Sequence, residues 1–208
     1  MSTTLPAYGY EPAVWLGCLL PLLWLLAAAF GVAELTLGAN PVRELLHFTG
    51  KTGLNLLLLT LCMTPLHHLT GRLEWLRVRR MLGLFAFSYT LLHFMVYVVL
   101  ELDLDFSDIG REIIKRPFIT IGLVALLMML PLALTSTDRA MRSLGRRWQA
   151  LHRLIYPIAI LAVWHYYWQV KADIREPLLY AAALTLLLGW RLHRHRLRQH
   201  RQHRQHQR

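Results

Sequence analysis

The chain has 208 residues, 55% of them hydrophobic, and carries 23 Lys and Arg against 12 Asp and Glu. Soluble domains sit at about 45–50% apolar. Here the excess is gathered into runs, which excludes an ordinary soluble domain and points to an all-α integral membrane protein. The basic residues fall between the runs, so membrane topology accounts for the positive charge and no nucleic-acid partner is implied.

Residues 1–13 contain no Lys or Arg. The apolar run that follows, 14–35, is longer than a signal-peptide core, so it reads as an anchor helix rather than a cleaved leader. Ala27, Ala28 and Ala29 keep the cleaved alternative open. The second run, 45–66, is interrupted by Gly50, Lys51, Gly53 and Asn55, which makes it the weakest as a lipid-facing helix. The basic loop "TGRLEWLRVRR" leads into a third run, 81–100. The segment "ELDLDFSDIGREIIKRP" follows, with five acidic residues. A fourth run covers 118–134, and "STDRAMRSLGRRW" joins it to a fifth, 150–168. The sixth, 177–190, is short, and Arg191 can extend it by snorkelling. About 20 apolar residues cross a ~30 Å hydrocarbon core as a helix. The expectation is therefore a six-helix transmembrane bundle over 14–190, with its core at 45–168.

Residues 191–208 hold seven Arg and five His and no acid. They read as a basic tail that is solvated, disordered or touching lipid headgroups. Its histidines read as low-complexity content rather than a metal site. Of the 23 Lys and Arg, 16 fall on one side of the alternating topology and 7 on the other. The positive-inside rule puts the 16 in the cytoplasm, and six spans then place both termini there.

Cys18 and Cys62 both lie inside apolar runs, so no disulfide is expected, and no C-x-x-C-H occurs for covalent haem. "GKT" at Gly50, Lys51 and Thr52 has Leu45 where a phosphate-binding loop needs glycine, and no dinucleotide fingerprint is present. No internal repeat stands out.

Ionisable groups inside a bilayer mark a functional site by default. His93 and His165 lie at one depth on two spans running in the same direction, in the outer half. Two neutral imidazoles at matched depth can ligate one haem iron axially. A lone buried histidine is more often an interhelical hydrogen-bonding residue. Zinc would want four N, S or carboxylate donors. A proton relay would want acids inside the spans, where only Glu34 and Glu44 lie at the ends. His152 sits at the inner rim, about 20 Å of helix rise from His165 and roughly 140° away in direction, with Pro157 between them. A partner on span three would fall at Arg79 or Arg80, which are not haem ligands. By depth, His67 and His68 are the remaining candidates for an inner iron, or else ordinary interface histidines.

His93 in "YTLLHF", followed by "LGRRWQALHRLIYPIAILAVWHYYW", resembles the ferric-reductase-like transmembrane family. "PVRELLHFTGKTGLNLLLLTL", "RPFITIGLVALL" and "LALTSTDRAMRSLGRRWQALH" narrow the resemblance, over about residues 40–190, to the haem-bearing membrane subunits of bacterial methionine sulfoxide reductase systems. The resemblance implies an inner-membrane electron-transfer subunit rather than a stand-alone enzyme. Haem b is the implied cofactor, and FMN is also attributed to such subunits. The implied partners are a cytosolic flavin reductase as donor and a periplasmic molybdopterin reductase that repairs oxidised methionines. Residue by residue it implies His93 and His165 as the outer haem pair and His152 as an inner ligand without a known partner. Larger relatives such as NADPH oxidases pair histidines for two haems and carry a fused flavin domain. This chain departs from them on both counts. The basic stretch from Arg72 to Arg80, with Arg146 and Arg147, could receive an anionic flavin or an acidic donor surface, or simply set topology. A histidine-based transporter or proton channel, and a cofactor-free structural subunit, are the competing classes. Both would be colourless where an electron carrier is red.

Overall fold

The computed structural model describes residues 11–32, 38–170 and 173–206, and these are helical apart from short connections. The sequence segments 1–10 and 33–37, with Glu34, lie outside the described residues. The first helix, α1, is Glu11–Ala29. α2 spans Pro41–Thr70 and α3 Glu74–Val96, the latter continuing as a π-helical turn at Tyr97–Glu101. α4 is Phe106–Lys115 and α5 Pro117–Leu134. The short α6 (Asp138–Leu144) and α7 (Arg146–Leu151) lead through a 3-10 turn, His152–Leu154, into α8, Ile155–Gln169. α9 is Arg175–His206.

Local chemistry sets the ends. Asn40 caps α2 by accepting from the Arg43 N–H at 3.1 Å, with Pro41 in the first turn, where its missing N–H costs nothing. α2 stops at Gly71, which takes the left-handed conformation (φ +71°) and donates to the His67 carbonyl at 2.9 Å. Thr137 caps α6, accepting from Ala140 N–H at 3.2 Å.

Four helical segments are long and apolar enough to cross a membrane by length and composition: Glu11–Ala29, Pro41–Thr70, Glu74–Glu101 and Pro117–Leu134. α8 is shorter, at 15 residues, and the second half of α9 is rich in Arg and His. Two antiparallel pairs form the centre. In the first, α2 lies along α3, with Gly53 against Thr90 and Gly83 against Thr60. In the second, α5 lies along α8, with Phe118 bonded to His165 at one end and Thr135 to His152 at the other. Leu57, Leu61, Ala86, Ile158 and Ala159 are buried between the pairs. α1 is tethered to α3 by Tyr89 Oη donating to the Cys18 carbonyl at 2.8 Å. Both cysteines are free, as the sequence implied.

Two segments differ from the sequence reading and one agrees with it. The second run is the least lipid-facing, as expected: α2 has the largest buried share of the four candidate spans and stays helical through its polar interruptions. They face protein: Lys51 pairs with Glu176 at 2.7 Å, and Asn55 accepts from Tyr180 Oη at 2.8 Å. The acidic segment after α3 is not a plain loop, because residues 106–115 fold into the amphipathic α4, joined to α5 by Thr120 Oγ1 donating to the Ile113 carbonyl. The basic tail is helical through His206 rather than disordered. It contains no Gly or Pro after Arg191, and Arg and Gln are good helix formers.

Proline inside α2 creates one specific debt. The Leu61 carbonyl should accept from residue 65, but Pro65 has no N–H. Arg191 Nη2 fills the gap at 3.1 Å, while its other arm bonds Tyr156 Oη and its plane lies over that ring. Arg191 thus ties α9 to α2 and α8 at once.

Candidate functional site

Four elements, α2, α3 with its π turn, α5 and α8, enclose a cavity of about 590 Å³. That lies within the ~300–1,000 Å³ of pockets that bury a cofactor-sized ligand. His93 on α3 and His165 on α8 enter it from opposite sides, with ring centres 6.2 Å apart and planes at 79°. His93 Nδ1 is 2.9 Å from the Leu46 carbonyl, and His165 Nδ1 is 2.7 Å from the Phe118 carbonyl. A carbonyl only accepts, so each Nδ1 carries the proton and each Nε2 is left with its lone pair free. Carbonyl bonding of the far nitrogen is the usual way a ligating imidazole is held in one tautomer and one orientation.

Each ring lies on a glycine. A Cβ at Gly50 would stand 3.1 Å from the His93 ring, and one at Gly122 would stand 2.8 Å from His165 Nδ1. The two halves repeat one arrangement. Leu46, Gly50 and His93 recur as Phe118, Gly122 and His165, each 72 positions later (118 from 46, 122 from 50, 165 from 93). The sequence showed no internal repeat because only these few positions carry it.

The cavity is polar at one end and apolar at the other. Arg43, His47 and Lys51 face it from one stripe of α2, and Arg116 faces it from the start of α5. His47 meets Gln169 at 3.3 Å. Tyr97, on the π turn, also lines this end, and its hydroxyl is buried with no hydrogen-bond partner among the described residues. Leu54, Leu57, Leu126 and Met129 form the opposite wall. The donor set, glycine-cleared faces and apolar wall fit a planar, metal-bearing ligand with a polar edge.

The chain also matches known proteins. The family model described as "Ferric reductase like transmembrane component" matches residues 49–163. The chain is 55% identical over 156 residues to a protein of Xanthomonas campestris pv. campestris named "Protein-methionine-sulfoxide reductase heme-binding subunit MsrQ", covering 75% of this chain and 72% of that one. A protein of the same name from Azospira oryzae is 52% identical over 176 residues, covering 84% of this chain and 76% of its own length. This chain belongs to the MsrQ family of ferric reductase-like membrane proteins. The family match takes in His93 and His152 and ends two residues short of His165.

The other sequence candidates are placed elsewhere. His152 does not line the cavity. Its Nε2 is 3.1 Å from Thr135 Oγ1, and its ring stacks on Trp148 at 3.9 Å. The nitrogen best suited to iron is therefore already engaged. His67 and His68 sit in the last turn of α2, where His67 Nδ1 bonds the Arg72 carbonyl at 2.9 Å and His68 packs on Trp190. Arg80, at the position where a partner for His152 would stand, forms an ion pair with Asp138. The Arg80 guanidinium holds the exposed Asp138 carboxyl below its usual range. Among the described residues, no group of three or more His, Cys, Asp or Glu gathers as a metal site. Sequence reasoning missed Arg43, His47, Lys51, Tyr97 and Arg116. The spacing 43, 47, 50, 51, 54 on one helical stripe was the available signal.

Proposed function

We propose that this chain carries electrons across the bacterial inner membrane through one haem b held between His93 and His165. Its donor is a cytosolic flavin reductase or reduced FMN, and its acceptor is a periplasmic molybdopterin methionine sulfoxide reductase. The carrying observation is the histidine pair. A metal–imidazole bond of about 2.0–2.1 Å, the length zinc makes, would leave the centres of two rings on either side of one metal ion roughly 6 Å apart. The pair stands at 6.2 Å with both Nε2 lone pairs free.

The haem supplies reversible one-electron storage at iron. The chain's residues do the rest. The Leu46 and Phe118 carbonyls fix both imidazoles and raise their basicity. Gly50 and Gly122 let the rings sit close against α2 and α5. The leucine wall keeps water from the centre. His93 and His165 would hold the group from both sides, so it would supply electron storage without an open site for dioxygen.

In this reading α8, with the turns before it, and the apolar half of α9 are the fifth and sixth spans. Both termini and the 16 basic residues face the cytoplasm, and the Arg43–Arg116 end faces the periplasm. Arg146, Arg147 and the stretch from Arg72 to Arg80 then face the donor. His152 is assigned to packing, so the count is one haem.

The test is reduction of the purified, haem-loaded protein. NADH or NADPH alone should leave the Soret band unchanged over minutes. Adding a soluble flavin reductase with FMN should reduce it, and periplasmic reductase with methionine sulfoxide should reoxidise it. Reduction by nicotinamide alone, or no reoxidation by the partner, contradicts the proposal.

A further inference from the structure

The polar end of the cavity carries more positive charge than the fold needs. Three cations line it, and two have acids of their own: Lys51 pairs with Glu176 and Arg116 with Glu112. Arg43 has no ion-pair partner among the described residues. The buried, unpartnered Tyr97 hydroxyl lines the same cavity, within electrostatic reach of Glu112, Arg116 and Glu101. Buried donors without acceptors are costly, and such a group calls for an explanation. Among the described residues Glu101 is the one acid that lines this rim, and it is exposed.

The repeat adds a constraint from symmetry. It exchanges His93 with His165, so its axis passes between them. Arg43 precedes Gly50 by seven positions, and Arg116 precedes Gly122 by six. The two arginines are therefore near-equivalents, one at the start of each glycine-bearing helix. Haem b has its own approximate two-fold axis, in the plane of the ring, which exchanges its two faces and its two propionates. A ring whose faces meet His93 and His165 holds the protein's axis in its plane, and the two axes coincide when its propionate edge points to the basic rim. Its two carboxylates then fall on either side of that axis, at one end of the cavity.

We propose that the basic rim is a two-carboxylate clamp: Arg43 with Lys51, and Arg116 with Tyr97, each receive one propionate of a haem seated between His93 and His165. This rests on the haem reading above and extends it by fixing which edge of the ring points to the rim. The methyl and vinyl edge then lies against Leu54, Leu57, Leu126 and Met129. Guanidinium forks suit carboxylates better than a point charge does, which gives the arginines the leading role.

The experiment compares haem b with its propionate dimethyl ester, each titrated into apoprotein in detergent. Wild type should prefer the free acid by at least tenfold. In Arg43→Gln/Arg116→Gln that preference should fall to within threefold, while the diester binds as it does to wild type and shows that the site is folded. Tyr97→Phe should reduce the preference by a smaller factor. If the double variant keeps the wild-type preference, the clamp is wrong while the axial assignment stands. If the double variant binds neither haem, the single variants decide: each should lose at least threefold of the preference, and no loss in either overturns the clamp. A wild type that forms no six-coordinate low-spin spectrum with either haem would instead overturn the axial reading.

Discussion

A single methyl group at Gly122 tests how tightly the histidine pair is set. The new Cβ would stand 2.8 Å from His165 Nδ1 and 2.9 Å from Cε1, where ordinary contact begins at 3.4 Å. The ring must retreat by about 0.6 Å, and the retreat strains its bond to the Phe118 carbonyl. At Gly50 the shortfall is about half as large, with 3.1 Å to the His93 ring. At Gly83 the nearest atom is Thr60 Cγ2 at 3.8 Å, so a methyl fits. Overpacking costs about 1–3 kcal/mol, and each ~1.4 kcal/mol is tenfold in affinity. Helix propensity favours alanine over glycine by about 1 kcal/mol, which offsets part of that cost in the apoprotein. Gly122→Ala should weaken haem affinity by roughly 30-fold, Gly50→Ala by roughly five-fold and Gly83→Ala not at all. The assay is haem titration into apoprotein, followed at the Soret band, with helicity checked by circular dichroism. Equal affinity for all three variants would refute the packing argument.

Other consequences follow from the same contacts. His152→Ala should keep wild-type haem content and a low-spin spectrum while losing about 0.5–1.5 kcal/mol of ring stacking; loss of part of the haem would restore an inner site. Arg191→Ala should destabilise the bundle by about 1–3 kcal/mol, because the Leu61 carbonyl is orphaned by Pro65. Pro65→Ala supplies the missing N–H, so Arg191→Ala in that background should cost about 1 kcal/mol less by thermal unfolding in detergent. A periplasm-dependent reporter should be inactive when fused after Arg208 and active when inserted at 103–105, and the reverse pattern would invert the electron path.

Four of the six expected spans, and the approach of His93 to His165, were legible because both follow from periodicity and depth along a helix. What escaped has physical causes. α4 hid because five acids in one segment read as a solvated loop, although residues 106–115 also carry an apolar face. The rim cations hid because Arg43 and Lys51 were counted as topology charges, and Lys51 as a flaw in a span. In the fold the same stripe of α2 faces the cavity rather than lipid. The pairing of Arg80 with Asp138, and of His152 with Thr135 and Trp148, depends on where α6 and α7 lie, which no one-dimensional pattern encodes.

The central claim is that His93 and His165 together hold one haem iron. Electron paramagnetic resonance of the oxidised, haem-loaded protein tests it most directly, with wild type, His93→Ala and His165→Ala measured side by side. Ring planes at 79° predict a highly anisotropic low-spin signal from one haem per chain, as near-perpendicular axial imidazoles produce. Each alanine variant should lose that signal, through loss of haem or conversion to high spin. A wild-type low-spin signal that survives in either variant would contradict the account.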